Sequence, residues 1–121
     1  TRVFALARWR NAHDPYGTGV SPIPERIITR PPSAELRADQ TDQDSLPPYE
    51  ILDAIIARYV ENDASVADLL AKGFAPADVD QVTRLIRQSE YKRQQAPVGT
   101  RVTPRGFGKD WRYPMTNKFR A

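Results

Sequence analysis

No cysteine occurs among the 121 residues, which excludes disulfides, thiolate metal sites and a cysteine nucleophile. Histidine occurs once, as His13, so neither a multi-histidine metal site nor a pair of catalytic imidazoles can be assembled. Long apolar runs are missing too. No stretch approaches the roughly 18 residues that a membrane-spanning helix requires, and no secretory leader opens the sequence. Position 1 is Thr rather than Met, so residue 1 is read as lying inside a longer chain. These absences set the expectation of a soluble, cytoplasmic protein with no membrane partner, of a length that suits one domain with a modest core.

What is present is unevenly charged. The net charge of +3 conceals three blocks of opposite sign. Residues 1–32 carry five Arg against Asp14 and Glu25. Residues 33–80 carry eleven acids against Arg37, Arg58 and Lys72. Residues 81–121 carry ten bases against Glu90 and Asp110. An acidic middle and a basic end either neutralise each other or leave the end to face an anionic partner; self-neutralisation is the cheaper arrangement.

Residues 1–12 read as an amphipathic helix, because Val3, Leu6, Ala7 and Arg10 follow i, i+3, i+4, i+7 spacing with Phe4 beside them. His13 to Pro24 is punctuated by Pro, Asp and Gly and reads as an exposed loop. His13 belongs to that loop, since no second histidine or cysteine can join it in a metal site. A helical turn is expected at Pro24-Glu25-Arg26-Ile27-Ile28. Pro48 opens the clearest helix: Ile51, Leu52, Ile55, Ile56, Tyr59 and Val60 share one face, with Asp44 or Ser45 as its expected cap. A short helix follows from Asp63 through Val66, Leu69 and Leu70, closed by Lys72-Gly73. Pro76 and Asp78 start the next, with Phe74 and Val79 placed as a hydrophobic staple. Val79, Val82, Leu85 and Ile86 then continue a buried face towards Tyr91. Asp78, Asp80 and Gln81 stand where a recognition helix would approach bases, which argues against DNA reading.

From Lys92 onward helical periodicity breaks. Phe107, Trp111, Tyr113 and Phe119 alternate with Arg101, Arg105, Lys109, Arg112 and Lys118. Single-stranded nucleic acid binders use such interleaving, and so does an arm lying over a neighbouring subunit. No RNA-binding signature accompanies it, so the arm is the reading preferred, without a nucleic-acid partner. The rival is a helical binding module whose basic tail takes nucleic acid or an acidic partner.

Residues 30–49 stand apart from these helices. A Pro-Pro pair lies near each end, and proline pushes the residue before it out of the helical region. Between the pairs lie Ser33, Glu35, Asp39, Gln40, Thr41, Asp42, Gln43, Asp44 and Ser45. Two readings stand for this dense polar set: a solvated surface loop, or a loop that carries function.

Three of these stretches resemble the NAD+ synthetases in order and approximate spacing: Pro31-Pro32-Ser33-Ala34-Glu35-Leu36, Gln40-Thr41-Asp42-Gln43-Asp44-Ser45-Leu46 and Glu90-Tyr91-Lys92-Arg93-Gln94. Gln95-Ala96-Pro97-Val98-Gly99 and Phe107-Gly108-Lys109-Asp110-Trp111-Arg112-Tyr113-Pro114 are similar to the glutamine-dependent, two-domain bacterial branch. The likeness covers essentially the whole sequence. It implies ATP-dependent amidation of nicotinate adenine dinucleotide (deamido-NAD+) through an acyl-adenylate, with ammonia supplied from glutamine by a nitrilase-like domain. It implies ATP and Mg2+, and a homo-oligomer. Residue by residue, Ser33 matches a hydroxyl that contacts ATP phosphates. Lys92, with Tyr91 beside it, matches a lysine that contacts deamido-NAD+. Asp39, Gln40, Thr41, Asp42, Gln43, Asp44 and Ser45 match a mobile loop that closes over the nucleotide. Read without the family, Lys92 is an ordinary lysine complementing a helix C-terminus.

The departures are equally informative. The family's Ser-Gly-Gly-x-Asp-Ser loop, its upstream Mg2+-holding acid and the glutaminase triad of Glu, Lys and Cys are absent from residues 1–121. The resemblance therefore implies the C-terminal part of a synthetase domain, mostly α as seen here. It would complete an α/β, Rossmann-like ATP-pyrophosphatase fold whose parallel sheet lies upstream. No catalytic group and no metal ligand is expected in this portion, and most ligands of ATP and Mg2+ are expected outside it. Within it the expected parts are a helix at 1–12, a substrate loop at 30–49, helices at 48–91 and a basic arm at 92–121.

Overall fold

The computed structural model describes residues 1–116, and among them every regular element is helical. Lys118 and Phe119 of the expected aromatic and basic alternation lie outside the described residues. The chain divides into two compact units, Thr1–Ser45 and Leu46–Ala121. No helix among the described residues is long and apolar enough to cross a membrane.

The first unit holds α1 (Arg2–Ala12) and α2 (Glu25–Thr29). Helix α1 forms where the sequence places it, but the expected amphipathic burial does not follow. None of its residues is buried, and Val3 and Leu6 are 78% and 64% exposed. The reason is angular: Phe4 and Trp9 project away from the Val3–Leu6–Ala7 stripe, so the apolar residues ring the helix and define no dominant face. Polar bonds organise the unit instead. The Asn11 amide donates to Ile23 O at 2.7 Å and accepts from Ile23 N at 3.1 Å, fixing the end of α1 to the run into α2. In the intervening loop Asp14 accepts from Gly19 N and Thr18 Oγ1. Those bonds, the Gly19 amide foremost, lower its pKa to about 2. His13 stacks on Trp9 with ring centroids 4.8 Å apart.

The second unit holds α3 (Tyr49–Ile56), which widens into a π-helical turn (Ala57–Glu61), then α4 (Val66–Ala71), α5 (Pro76–Gln88) and α6 (Glu90–Gln94). Its core is Ile55, Tyr59, Val60, Leu69, Val79, Val82 and Ile86, with Phe74, Trp111 and Tyr113 packed against it. Burying side chains of this size contributes about 1.5–3 kcal/mol each before entropy is counted. Neither Asp44 nor Ser45 caps α3, whose N-cap is Pro48 with no side-chain bond. Nor does Asp63 start α4. Its N-cap is Ser65, whose Oγ accepts from Asp68 N at 3.1 Å while Asp68 Oδ2 accepts from Ser65 N at 2.9 Å. Gly73 ends that helix at φ +90°, a conformation strained for any L side chain.

The helical region also runs past residue 91. Helix α6 extends to Gln94, and its buried positions are Glu90 and Arg93, whereas Tyr91 is 51% exposed. The expected apolar face therefore ends in an ion pair and not in an aromatic ring. The arm beyond it folds back onto the core of the same unit. Trp111 packs edge-on against both Tyr59 and Tyr113, and the two tyrosine hydroxyls meet at 2.9 Å. Burial pushes the Tyr113 phenol well above its usual range.

Candidate functional site

Ser33 and the polar loop lie in the first unit. Ser33 Oγ accepts from Glu35 N at 3.0 Å, a local turn in the serine's own backbone. That bond occupies a lone pair of the hydroxyl and leaves its proton to donate. Ser33 lines an open groove of about 320 Å³ together with Phe4, Ile27, Arg30, Pro31, Pro32 and Glu35. Arg30 and Glu35 form an exposed ion pair at 2.9 Å. The groove thus offers an apolar floor, one hydroxyl and an Arg30–Glu35 ion pair.

The loop beyond Ser33 is ordered by its own side chains. Asp42 N donates to Pro32 O at 2.9 Å, tying the far side of the loop to the Pro-Pro pair. Gln40 Oε1 accepts from Leu36 N at 2.9 Å. Asp44 folds back on Thr41, taking its N–H at 3.3 Å and its hydroxyl at 3.0 Å, and also takes Arg37 at 2.8 Å. The backbone N–H of Thr41, then its hydroxyl, then Arg37 hold Asp44 below the ordinary carboxylate pKa. Residues 42–44 form a single 3-10 turn. Gln43 and Ser45 are exposed on it, as is Asp39 just before. Glu35 and Asp39 sit at φ +54° and +56°, in the left-handed region where the Cβ of an L residue crowds the backbone carbonyl. Among the described residues no three His, Cys, Asp or Glu side chains gather as a metal site.

Tyr91 and Lys92 lie in the second unit, on the outer face of α6. Lys92 is exposed in the helix's last turn, its Nζ 6.0 Å from the Tyr91 ring centroid. Directly behind them is a group the sequence reading passed over. Arg93, 4% exposed, donates to Glu90 Oε2 at 2.8 Å, Phe107 O at 2.8 Å, Asp110 O at 2.9 Å and Trp111 O at 3.0 Å. Its guanidinium carbon lies 4.6 Å from the Phe107 ring centroid. Glu90, 2% exposed, also faces Arg112, whose Nε is 2.6 Å from Oε1, an ion-pair distance without an aligned hydrogen bond. Burial lowers the Arg93 pKa, and Glu90 works against that shift. The available signal was the i, i+3 spacing of Glu90 and Arg93, which puts them on one helix face.

The sequence pattern of the NAD synthase family matches residues 1–96. The glutamine-dependent NAD+ synthetase of Aquifex aeolicus is 52% identical over 119 residues, covering 98% of this chain and 20% of that one. The glutamine-dependent NAD+ synthetase of Rhodobacter capsulatus is 54% identical over 123 residues, covering 99% and 22%. Among solved structures, glutamine-dependent NAD+ synthetase from Acinetobacter baumannii in complex with ADP aligns over 95% of this chain and 18% of its own. The TM-score is 0.56 and the identity 42%. The chain spans about a fifth of the length of the relatives it matches. A match over residues 1–96, reaching from α1 through the polar loop to α6, shows that this chain belongs to the NAD synthase family.

Proposed function

We propose that these residues serve an enzyme that makes NAD+ from deamido-NAD+, ATP and glutamine-derived ammonia, as the C-terminal part of its synthetase domain. The observation that supports this most is identity of about half, across nearly the whole chain, to proteins named glutamine-dependent NAD+ synthetase. The complete domain is then Rossmann-like, the enzyme cytoplasmic and homo-oligomeric.

The chemistry has two steps. The pyridine carboxylate oxygen attacks the α-phosphorus of ATP and pyrophosphate leaves. Ammonia then attacks the acyl carbon, and AMP departs as the amide forms. Both steps concentrate negative charge, so fixed donors and cations lower their barriers. Ser33 is assigned to an ATP phosphate, its Oγ proton donating while the Glu35 amide fixes the oxygen. Lys92, an exposed ammonium on a helix end, is assigned to an anionic group of deamido-NAD+, with Tyr91 beside it. Asp39 to Ser45 are assigned to the loop that covers the nucleotide and keeps water from the adenylate. Among its carboxylates Asp44 holds the loop's own shape, engaged by Thr41 and Arg37. The resemblance assigns the ion accompanying ATP to residues elsewhere in the enzyme.

The rival, a basic tail for nucleic acid, loses support because several of its cations are occupied. Arg93 is buried, Arg105 pairs with Asp63, and Arg112 faces Glu90. The test is the intact protein with deamido-NAD+, ATP and glutamine, wild type against Lys92→Ala. A charged hydrogen bond lost at the substrate raises the deamido-NAD+ KM about ten- to a hundredfold. An unchanged KM would remove Lys92 from the site.

A further inference from the structure

We propose that Arg93 is a positioning residue for deamido-NAD+: it locks α6 to the folded-back arm and so sets the direction in which Tyr91 and Lys92 project. This rests on the assignment of Lys92 to that substrate.

Helix α6 has five residues, Glu90–Gln94. A helix so short cannot sustain its own geometry, because nucleation costs more than one turn of hydrogen bonds returns. Its orientation comes from α5, which it follows after Ser89, and from the face it buries, Glu90 and Arg93. Arg93 spends its guanidinium on three backbone carbonyls, Phe107 O, Asp110 O and Trp111 O, as well as on Glu90. Those carbonyls stand 14 to 18 residues further along the chain. The outward residues of the same turn, Tyr91 and Lys92, are exposed. Arg93 is buried against Glu90 and the arm's carbonyls, so it acts through its neighbours.

The arm is shaped to receive it. Trp111 adopts φ +56°, unusual for so bulky a residue, with its carbonyl on Arg93 and its ring between Tyr59 and Tyr113. Asp110 Oδ2 accepts from Gly106 N at 2.8 Å, closing the turn that presents the Phe107 and Asp110 carbonyls. Gly108 leaves room for the close approach of the helix's exit: a Cβ there would stand 3.1 Å from that of Ala96. A planar fork with several fixed donors serves three carbonyls and a carboxylate at once. A lysine at this position keeps the charge and cannot reproduce the pattern.

The experiment is a cycle in the intact synthetase: Arg93→Lys, Lys92→Ala and the double variant. KM for deamido-NAD+, KM for ATP and kcat are measured for each. Arg93→Lys is expected to raise the deamido-NAD+ KM on the order of tenfold, with the ATP KM unchanged, since small displacements of a binding group are costly. In the Lys92→Ala background the same substitution is expected to add nothing further to that KM, because its effect passes through Lys92. A merely structural role would lower the active fraction, and so kcat, at constant KM; that result, or full additivity, overturns the proposal. If Lys92→Ala raises KM and Arg93→Lys does not, the positioning role falls and the substrate assignment survives. If Lys92→Ala leaves KM unchanged, both fall. Should Arg93→Lys fail to fold, Phe107→Leu removes only the stacked ring, whose site is 42% exposed. A smaller rise confined to the deamido-NAD+ KM supports the proposal, and no rise overturns it.

Discussion

The two units of this chain are stabilised by different means. Residues from Leu46 onward enclose Ile55, Tyr59, Val60, Leu69, Val79, Val82 and Ile86, with Trp111 and Tyr113 of the arm packed against them, and the buried Arg93 ties α6 to the Phe107, Asp110 and Trp111 carbonyls of that arm. Residues 1–45 bury one large apolar side chain, Ile28, and are otherwise shaped by side-chain-to-backbone bonds of Asn11, Asp14, Ser33, Gln40 and Asp44. Hydrophobic burial resists perturbation at any one position because many contacts share the load. A loop held by single hydrogen bonds changes shape when one is lost, each being worth only about 0.5–1.5 kcal/mol net. The first arrangement suits the positioning of α6 proposed above; the second suits the closure over a nucleotide proposed for residues 39–45.

The sharpest way to break the second unit is to orphan its buried cation. Glu90→Ala leaves Arg93 desolvated without its carboxylate and is expected to destabilise the protein by about 3–5 kcal/mol. Thermal unfolding followed at Trp111, by the loss of its packing against Tyr59, is the measurement. Next in size, Ile55→Ala in the core is expected to cost about 2–5 kcal/mol. Leu6→Ala on the exposed surface of α1 should stay within about 0.5 kcal/mol. Denaturant titration of the polypeptide of residues 1–121 compares the two directly. A Leu6→Ala cost approaching that of Ile55→Ala would show that the α1 surface is not left in water.

Much of the second unit was legible because its code is redundant. The Ile51 to Val60 stripe, Gly73 after a helix and Pro76 at the first position of the next each point to the same elements. The structure has helices at Tyr49–Ile56, Val66–Ala71 and Pro76–Gln88. Where one signal stood alone, reading was less secure. Val3, Leu6 and Ala7 have helical spacing, but spacing cannot reveal whether a partner surface exists. Asp44 looked like a cap for α3, yet Thr41 lies closer and captures it. The Ser65-to-Asp68 cap was overlooked in favour of Asp63, which pairs instead with Arg105, 42 residues away. Arg93 was hidden for the same reason: its partners lie in an arm whose return no periodicity encodes. In the polar loop, resemblance and composition mark Ser33 and residues 39–45, whereas the bonds of Ser33 to Glu35 and of Asp44 to Thr41 depend on turns that no residue pattern specifies.

One chemical motif occurs in both units, which permits a controlled comparison. Asp68 caps Ser65 in the second unit, and Asp44 folds onto Thr41 in the first. Ser65→Ala is expected to cost about 1 kcal/mol, as for other N-caps, and circular dichroism on denaturant titration measures it. Both carboxylates titrate below their ordinary 3.8, Asp68 chiefly through the Ser65 hydroxyl and Asp44 chiefly through the Thr41 amide. A carboxylate with a depressed folded pKa contributes its stabilisation above the unfolded pKa and loses it as pH falls through the folded value. Both motifs are therefore intact at neutral pH and weaken below about 3.9. Their consequences should differ. When Asp68 is protonated, α4 remains docked through Leu69, which is fully buried. When Asp44 is protonated, none of the residues from Ser33 to Ser45 is buried, so no packed side chain beneath the loop backs up its remaining single hydrogen bonds. Amide hydrogen exchange at low pH, corrected for intrinsic rates, should show protection lost at Asp42 and Ser45 while the Leu69 amide stays protected. Equal loss at both sites would mean that the polar loop and the helical unit are held together by the same forces, and the contrast drawn between them would fail.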